Sequence, residues 1–292
     1  MRVFVTGASG WIGSAVLPEL IGAGHRVTGL ARSDASAATV AAAGAEVLRG
    51  DLDDLDALRA GAAGADAVIH LAFVHDFTDF DASIRTDARA AEALGGALEG
   101  SGKPLVVAHG TPAAPGRVAT EHDRSVPGGL GAGRDHNARA VLAMAERGLR
   151  PSVVRLPRTV HGEGDHGFIA GLIATARAKG VSGYVGDGSQ RWPAVHVRDA
   201  ARLFRLAAEQ APTGSVLHAV GDEGVPIRAV AEVISRHLGL PTASAPAEDF
   251  GFLGAILAVD QPASSTLTRD LLDWHPTHPG LLEDLDAGHY FR

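Results

Sequence analysis

The sequence predicts an α/β protein in which helices cover both faces of a parallel sheet, and three observations lead to this prediction. Short β-branched runs alternate with segments whose apolar residues recur at helical spacing, which is typical of parallel sheets. A glycine-rich turn joins the first strand to the first helix. The 292 residues, 46% of them hydrophobic, are enough for one large domain or two unequal lobes.

The first half of the chain carries the alternation most clearly. Arg2–Thr6 is a predicted strand, and Trp11–Ile21 is a predicted helix that ends at the glycines after it. Further strands are predicted at 25–30, 45–48, 67–71, 105–108 and 152–156, and further helices at 35–43, 52–59, 81–99 and 137–147. A loop rich in glycine and proline occupies 109–133.

The second half is less regular. Strands are predicted at 194–197 and 215–220, and helices at 168–179, 198–209, 225–238, 247–259, 264–272 and 281–288. We therefore predict a doubly wound parallel sheet domain over residues 1–156, to which residues 194–221 return, and a smaller, mainly helical C-terminal lobe formed by 157–193 and 222–292.

The composition narrows the class of partner. The absence of cysteine excludes disulfides, cysteine-ligated metals and thiol nucleophiles. A net charge of -8 without a lysine- or arginine-rich run argues against nucleic acid and anionic membranes. We see no membrane span and no signal peptide, so we expect a cytoplasmic monomer or homodimer whose partner is a small molecule.

The turn between the first strand and first helix has the spacing of a Rossmann-type dinucleotide site. Gly7 permits the tight turn, Gly10 lets the backbone approach a pyrophosphate, and Gly13 allows close helix–strand packing. The helix N-terminus faces the phosphates. The residues expected to bind the cofactor here are Gly7, Ser9, Gly10, Trp11, Ile12 and Gly13.

The end of the second strand indicates which nicotinamide cofactor is preferred. An NAD site places a carboxylate on the ribose 2′-hydroxyl at this point, but the sequence has Arg32 and Ser33. These groups suit a 2′-phosphate, so NADP(H) is favoured, with NAD(H) left open. The alternative for Arg32 is a solvated surface charge, and we interpret Asp34 as a cap of the next helix.

With these residues the sequence resembles the extended short-chain dehydrogenase/reductase family, which includes NAD(P)-dependent epimerases and dehydratases. Gly50–Leu52, His70–Phe73, Val195–Asp199 and Leu272–Pro276 resemble further family motifs and follow in the family's order. The resemblance implies cofactor contacts from Asp51, Leu52, Leu71, Ala72, Phe73 and Pro157. Asp51 has the alternative role of capping the helix after it.

The family's usual proton-transfer pair, Tyr-x-x-x-Lys, is missing. The two tyrosines, Tyr184 and Tyr290, have no lysine four residues later. The resemblance puts Leu130 near the tyrosine position and Arg134 near the lysine position. Arg134 supplies a fixed charge beside the nicotinamide ribose but does not exchange a proton near neutral pH.

Other side chains are candidates for the substrate end of the reaction. Thr111 matches the family's Ser/Thr, which holds the substrate oxygen, although Thr111-Pro112 also reads as the start of a turn. His109, His136 and His161 are candidates for a replacement acid because histidine titrates near neutrality, and each has the alternative of a packing or surface role. The histidines and acids of 161–166 lack metal-ligand spacing, so no metal is predicted.

The resemblance and the residues together predict an NADP(H)-dependent oxidoreductase that transfers hydride to a small apolar carbonyl compound. Aromatic residues supply apolar surface and few charges accompany them, mainly Arg158, Arg191 and Arg198. The aromatic set is Phe73, Phe77, Phe80, Phe168, Trp192, Phe250 and Phe252. Two alternatives are a catalytically silent NADP(H)-binding regulatory module and a sugar-nucleotide epimerase or dehydratase.

Overall fold

The computed structural model describes residues 1–76, 78–125 and 131–292. The strands are β1 (Arg2–Thr6), β2 (Arg26–Ala31), β3 (Glu46–Arg49), β4 (Ala67–His70), β5 (Pro104–Gly110), β6 (Arg150–Leu156), β7 (Thr159–His161), β8 (Ser182–Tyr184), β9 (Arg191–His196), β10 (Ser215–His218), β11 (Asp222–Pro226) and β12 (Thr242–Ser244). The helices are α1 (Trp11–Gly22), α2 (Asp34–Ala42), α3 (Leu55–Ala63), α4 (Phe80–Ala97), α5 (Ala132–Ala143), α6 (Phe168–Lys179), α7 (Val197–Gln210), α8 (Ile227–Leu238), α9 (Phe252–Leu257), α10 (Thr266–Leu272) and α11 (Leu281–Asp286).

Within the described residues a seven-stranded sheet of order β10-β6-β5-β4-β1-β2-β3 forms the centre, and its pairings are all parallel. Successive strand residues point to opposite faces, so Val5 packs with Leu17 of α1 and Phe204 of α7, whereas Phe4 packs with Leu58 of α3 on the other face. Both faces are therefore buried under helices, which confirms the predicted doubly wound α/β fold.

The C-terminal half contains more sheet than the sequence indicated. β7, β9 and β11 form a three-stranded sheet, and β8 pairs with β12. Of the segment 194–221, predicted to return to the main sheet, β10 joins it while the strand ending at His196 belongs to the smaller sheet. Three-residue strands carry no readable alternation, which is why β7, β8 and β12 were missed.

Two predicted helices also begin or break differently. The helix predicted over 225–238 begins at Ile227 because Val225 and Pro226 pair with β9. The helix predicted over 247–259 is a short 3₁₀ turn and α9, separated by Gly251, whose φ of 55° no regular helix adopts. Both differences arise outside the central sheet.

The parallel arrangement decides where a site can lie. The carboxyl ends of the seven strands meet at one edge, and the strand order reverses between β1 and β4. A crevice outside this edge is the usual ligand position in doubly wound folds. No helix in the described part of the chain is both long and apolar enough to cross a bilayer.

Candidate functional site

The glycine turn at the end of β1 is shaped by backbone contacts that leave no room for side chains. Gly7 has φ of 67°, and a Cβ there would lie 2.7 Å from the backbone nitrogen of Ala72. A Cβ on Gly13 would lie 2.6 Å from the carbonyl oxygen of Ala8, and closer still to that of Gly7. The amide of Gly10 donates to the Gly7 carbonyl at 3.0 Å. The turn is thus packed against the end of β4.

The start of α1 leaves its first amides open to a ligand. Gly10 is the N-cap, no side chain caps this end, and the first turn contains no acidic residue. Unpaired amides and the helix dipole together favour an anion. Ser9 beside them is half-buried, and its hydroxyl has no hydrogen-bond partner among the residues described. A phosphate-bearing ligand therefore fits this cradle.

The two apolar residues of the turn have different surroundings. The indole nitrogen of Trp11 donates to the carbonyl of Val160 at 2.8 Å, and its ring lies edge-on to His166 with 6.2 Å between centroids. Trp11 thus ties the turn to the segment after β6. Ile12 packs against the core under α1.

Two arginines lie at the neighbouring ends of β2 and β3. Arg32 follows β2 and is exposed. Arg49, which the sequence analysis did not single out, donates to the carbonyl of Ser33 and to the Asp34 carboxylate, both at 2.7 Å. Ser33, not Asp34 as we expected, caps α2 by accepting from Ser36 at 3.2 Å. The Asp34 carboxylate is therefore paired with Arg49, and it does not offset the charge of Arg32.

The residues after β3 form a tight turn. Asp51 accepts from the amides of Asp53 at 2.9 Å and Asp54 at 3.1 Å, and Asp54 caps α3. Asp51 therefore stabilises the turn and is not the helix cap that was its alternative role. Leu52 is buried in the core beneath α3 and α4.

The ends of β4 and β6 border the same edge. Leu71, Ala72 and Phe73 are half-buried, and the Leu71 amide donates to the carbonyl of Thr6 at 3.2 Å, which holds this segment beside the glycine turn. Pro157 is buried directly after β6.

Thr111 follows β5 and has its backbone held on both sides. Its amide donates to the Leu156 carbonyl at 2.9 Å, and its carbonyl accepts from the Gln261 side chain at 2.6 Å. Its hydroxyl is buried and has no partner among the described residues. A buried polar atom without a partner is costly, so this hydroxyl is suited to a ligand oxygen.

Arg134 and His109 share a small polar cavity under the same edge. The Arg134 guanidinium donates to the Ala108 carbonyl at 3.0 Å and lies 4.1 Å from the centre of the Phe73 ring. The Nδ1 of His109 donates to the Gly110 carbonyl at 2.7 Å. The cavity measures about 10 Å³, enough for about one water molecule.

Charge and burial in this cavity shift the pKa of both groups. Burial, assisted by the nearby Arg134 charge, lowers the pKa of His109 to about 4. Burial also lowers the pKa of Arg134, opposed by the charge of Asp87. His109 is therefore neutral at pH 7.

A buried network behind the cavity was missed by the sequence analysis. Thr6 Oγ1 and His70 Nδ1 are 2.6 Å apart, and His70 Nε2 lies 3.4 Å from Asp87 Oδ1. Asn137 donates to the other carboxylate oxygen of Asp87 at 2.8 Å. Burial opposes ionisation of Asp87, but His70, Asn137 and Arg134 together keep its pKa below the usual range. The available signal was a polar residue on the buried face of α4 and another on α5.

The other two candidate histidines lie elsewhere. His136 is exposed on α5, whereas Asn137 beside it is buried. His161 is fully buried, and its Nδ1 is 2.9 Å from Asp284 of α11. Its ring meets that of His196 edge-on, with 5.5 Å between centroids. The structure therefore brings Thr111, Arg134 and His109 to one edge but holds His161 in a separate histidine–aspartate cluster.

Neither tyrosine is placed with Thr111 and Arg134 at the sheet edge, and the residue expected at the family's tyrosine position is not described. Tyr290 donates to Asp165 at 2.9 Å, and burial together with that carboxylate raises its pKa. Tyr184 packs beside Arg228 in the C-terminal lobe, 5.7 Å from its ring centre to the guanidinium. Leu130 lies outside the described residues, as does Phe77 of the aromatic set.

Comparisons with known proteins agree with the fold. The sequence pattern of the NAD dependent epimerase/dehydratase family matches residues 3–219. An uncharacterized protein of Schizosaccharomyces pombe is 45% identical over 301 residues, covering 100% of each chain. The 4-hydroxy-2-methyl-3-oxo-4-farnesyl-3,4-dihydroquinoline-1-oxide ketoreductase of Stigmatella aurantiaca is 30% identical over 249 residues, which cover 82% of this chain and 74% of the relative.

A solved structure shows the same likeness in three dimensions. MoeE5 in complex with UDP-glucose and NAD aligns with a TM-score of 0.79 and 28% sequence identity, over 99% of this chain and 97% of that chain. The likeness therefore spans the C-terminal lobe as well as the central sheet.

Proposed function

The chain belongs to the NAD dependent epimerase/dehydratase family, and on this premise we propose that it is an NADP(H)-dependent oxidoreductase that reduces the carbonyl group of a small substrate. One observation carries the proposal. A buried, unpartnered Thr111 hydroxyl lies at the same sheet edge as the open amides of α1. The ketoreductase relative supports reduction over epimerisation.

The cofactor fits the backbone cradle described above. The amides at the start of α1 and Ser9 would hold the pyrophosphate, with Gly7 and Gly13 allowing the close approach. Phe73 and Pro157, after β4 and β6, would flank the nicotinamide. When bound, the cofactor supplies a hydride to the carbonyl carbon.

We infer a preference for NADP(H) from the charges at the ends of β2 and β3. Arg32 is exposed there, and Arg49 neutralises Asp34, the carboxylate closest along the chain. A carboxylate without a partner at this position would repel a 2′-phosphate. Arg32 therefore supplies the charge for a 2′-phosphate, and Arg49 acts by pairing with the Asp34 carboxylate that would oppose it.

Exchange of the charge at Arg32 tests this preference. We expect Arg32→Asp to weaken NADPH binding by about 10- to 100-fold, the range of one charge-assisted hydrogen-bonded pair, and to leave NADH binding nearly unchanged. Kd values for both cofactors by fluorescence titration give the ratio. Arg26→Asp at the exposed opposite end of β2 is the matched control. An unchanged NADPH/NADH ratio in Arg32→Asp would remove Arg32 from the phosphate site.

Thr111 and Arg134 both act on the carbonyl group of the substrate. The Thr111 hydroxyl donates a hydrogen bond to the substrate oxygen, and the fixed charge of Arg134 supports the ribose and favours negative charge on that oxygen. His109 is neutral at pH 7, and its Nδ1 proton is bound to the Gly110 carbonyl, so it does not supply the proton. Solvent protonates the alkoxide, and we expect slower turnover than with a positioned acid.

A substitution at Thr111 tests the chemical role. We expect Thr111→Val to reduce kcat by about 100-fold with little change in NADPH Kd, because one oxyanion donor is lost. NADPH oxidation is followed with a panel of aldehydes and ketones, and Thr39→Val on exposed α2 is the control. Equal activity in Thr111→Val would exclude Thr111. Tight NADPH binding without turnover of any carbonyl compound by the native protein would favour the regulatory-module alternative.

A further inference from the structure

Arg158, directly after β6 and Pro157, lies beside the proposed carbonyl site. Its guanidinium donates to the Gln261 side-chain oxygen, and the Gln261 nitrogen donates to the carbonyl of Thr111 at 2.6 Å. A single side-chain amide therefore separates Arg158 from Thr111. Gln261 is itself buried, and its backbone N–H donates to the Arg191 carbonyl at 3.0 Å. This bond fixes the position of the Gln261 side chain between Arg158 and Thr111.

The Arg158 charge has no counter-charge within the part of the chain that the structure describes. Gln261 provides its hydrogen bond, and the indole of Trp192 lies under it with the ring centre 5.5 Å away. Trp192 is 1% exposed and packs against the guanidinium, whereas Arg158 is half-buried, so part of its side chain remains accessible. Burial alone lowers the pKa of Arg158 to about 10, so it is charged at pH 7.

Two arginines of β6, the half-buried Arg150 and the buried Arg155, have different hydrogen-bond partners from those of Arg158. Arg150 donates to the carbonyls of Ala208 and Ala211 at the end of α7, at 2.7 and 2.8 Å. Arg155 donates to the Asp123 carbonyl at 2.8 Å and lies 4.0 Å from the Asp135 carboxylate. Arg158 has neither a set of carbonyls nor a carboxylate, although burying an unpaired charge is costly.

We propose that Arg158 binds a carboxylate on the substrate, so that the substrate is a short oxo acid whose carbonyl oxygen lies on Thr111. This inference rests on the proposed function and narrows its substrate class. The planar guanidinium matches a carboxylate with two parallel hydrogen bonds. One cation suits one negative charge, because the nearby Arg191 is already paired with Asp260 at 2.8 Å. This proposal differs from the apolar carbonyl compound that the sequence analysis expected.

The distance between the two groups restricts the length of the acid. The Gln261 side chain contacts both Arg158 and the backbone carbonyl of Thr111, so we expect the carbonyl and carboxylate of a bound substrate to be separated by few bonds. Pyruvate, acetoacetate and levulinate span this range in steps of one carbon, and their methyl esters are neutral partners of nearly the same shape.

The experiment compares these acids with their esters in the presence of NADPH. We expect the native protein to prefer one acid over its ester in kcat/KM by about 10- to 100-fold, the range of one charged hydrogen-bonded pair. Arg158→Met should abolish that preference and Arg158→Lys should retain part of it. Arg26→Met, at an exposed arginine of β2 with no ion pair among the described residues, is the matched control and should change nothing.

A binding measurement separates this inference from the proposed function. Saturation-transfer NMR of each acid with the NADP⁺-loaded protein reports contact without turnover. Binding that Arg158→Met removes, without hydride transfer, supports the carboxylate site and counts against the reductase. Turnover of esters at the rate of acids, or an acid/ester ratio that Arg158→Met leaves unchanged, overturns the carboxylate site and keeps the reductase. If Arg158→Met does not fold, Arg158→Lys and the acid/ester ratio of the native protein decide. If none of the acids binds to the native protein, the carboxylate site is overturned.

Discussion

The glycine turn at the end of β1 and the polar cavity beneath β5 lie on one sheet edge but are built in opposite ways. The turn uses backbone atoms within eight consecutive residues and depends on the absence of side chains at Gly7 and Gly13. The cavity uses ionisable side chains that four elements supply, such as His70 from β4 and Arg134 from α5. The glycine turn depends on the space that missing side chains leave, and the cavity depends on the charges of its side chains.

The difference teaches which kind of change each region tolerates. A methyl group in the turn meets rigid backbone, so the cost arises from displacement of the strand or helix. An isosteric change in the cavity leaves the volume intact but removes a charge that neighbouring groups need. Three predictions follow this contrast from the largest expected effect to the smallest.

Gly13→Ala tests the steric side and should have the largest effect. The new Cβ would meet the Ala8 carbonyl at 2.6 Å, so α1 must move away from β1. We expect loss of about 3 kcal/mol of unfolding free energy, the upper end of overpacking, and at least about 100-fold weaker NADPH binding. Urea unfolding and cofactor titration measure both.

Gly22→Ala is the matched control because a Cβ there has no neighbour within 4 Å. Its stability should change little or rise slightly, as expected for alanine in a helix. If Gly13→Ala behaved like Gly22→Ala, the close approach of α1 to the turn would be refuted.

Asp87→Asn tests the electrostatic side at nearly constant volume. The change removes the carboxylate that lies between His70 and Asn137. This carboxylate is also the negative charge that stabilises the nearby Arg134 guanidinium. We expect about 2 kcal/mol lower unfolding free energy with little change in NADPH binding, because Asp87 does not itself contact the glycine turn but reaches it through His70 and Thr6. Asp53→Asn, at an exposed carboxylate paired with Arg89 at 2.6 Å, should change stability by less than about 0.5 kcal/mol. An equal effect of the two substitutions would argue against a charge-dependent cavity.

Per pH unit, the pH dependence of stability gives the smallest of the three effects. His109 has its pKa lowered from 6.5 to about 4 in the folded protein, so its contribution is complete above pH 6.5 and is lost as the pH falls towards 4. Over this window we expect His109→Gln to flatten the slope by up to about 1.4 kcal/mol per pH unit, because one proton fewer is taken up on unfolding. Urea midpoints from pH 7.5 to 4 measure the slope.

His196 and His218 shift in the same direction, so part of the slope should remain in His109→Gln. His275→Gln is the control because its side chain is exposed. A native slope that His109→Gln leaves unchanged would mean that His109 is protonated in the folded protein.

The same contrast explains how much was predictable from the sequence. The glycine turn and the parallel alternation were readable because both depend on neighbours along the chain, such as Gly7 and Gly13 beside β1. Asp87, Asn137 and Gln261 were missed because their partners lie far away in sequence, for instance Thr111, 150 residues from Gln261. The last two residues of β11, Val225 and Pro226, were predicted as helix because their pairing with β9 is not visible in the local sequence.

The loop after β5 is held by the far end of the chain. Ala119 bridges to Ala263, and the Glu121 carboxylate accepts from Thr268 at 2.7 and 2.8 Å. During synthesis, the strands and helix around the glycine turn leave the ribosome well before these partners exist. The cofactor end is therefore able to assemble early, whereas the pocket around Thr111 and Arg158 takes shape only after translation has passed α10.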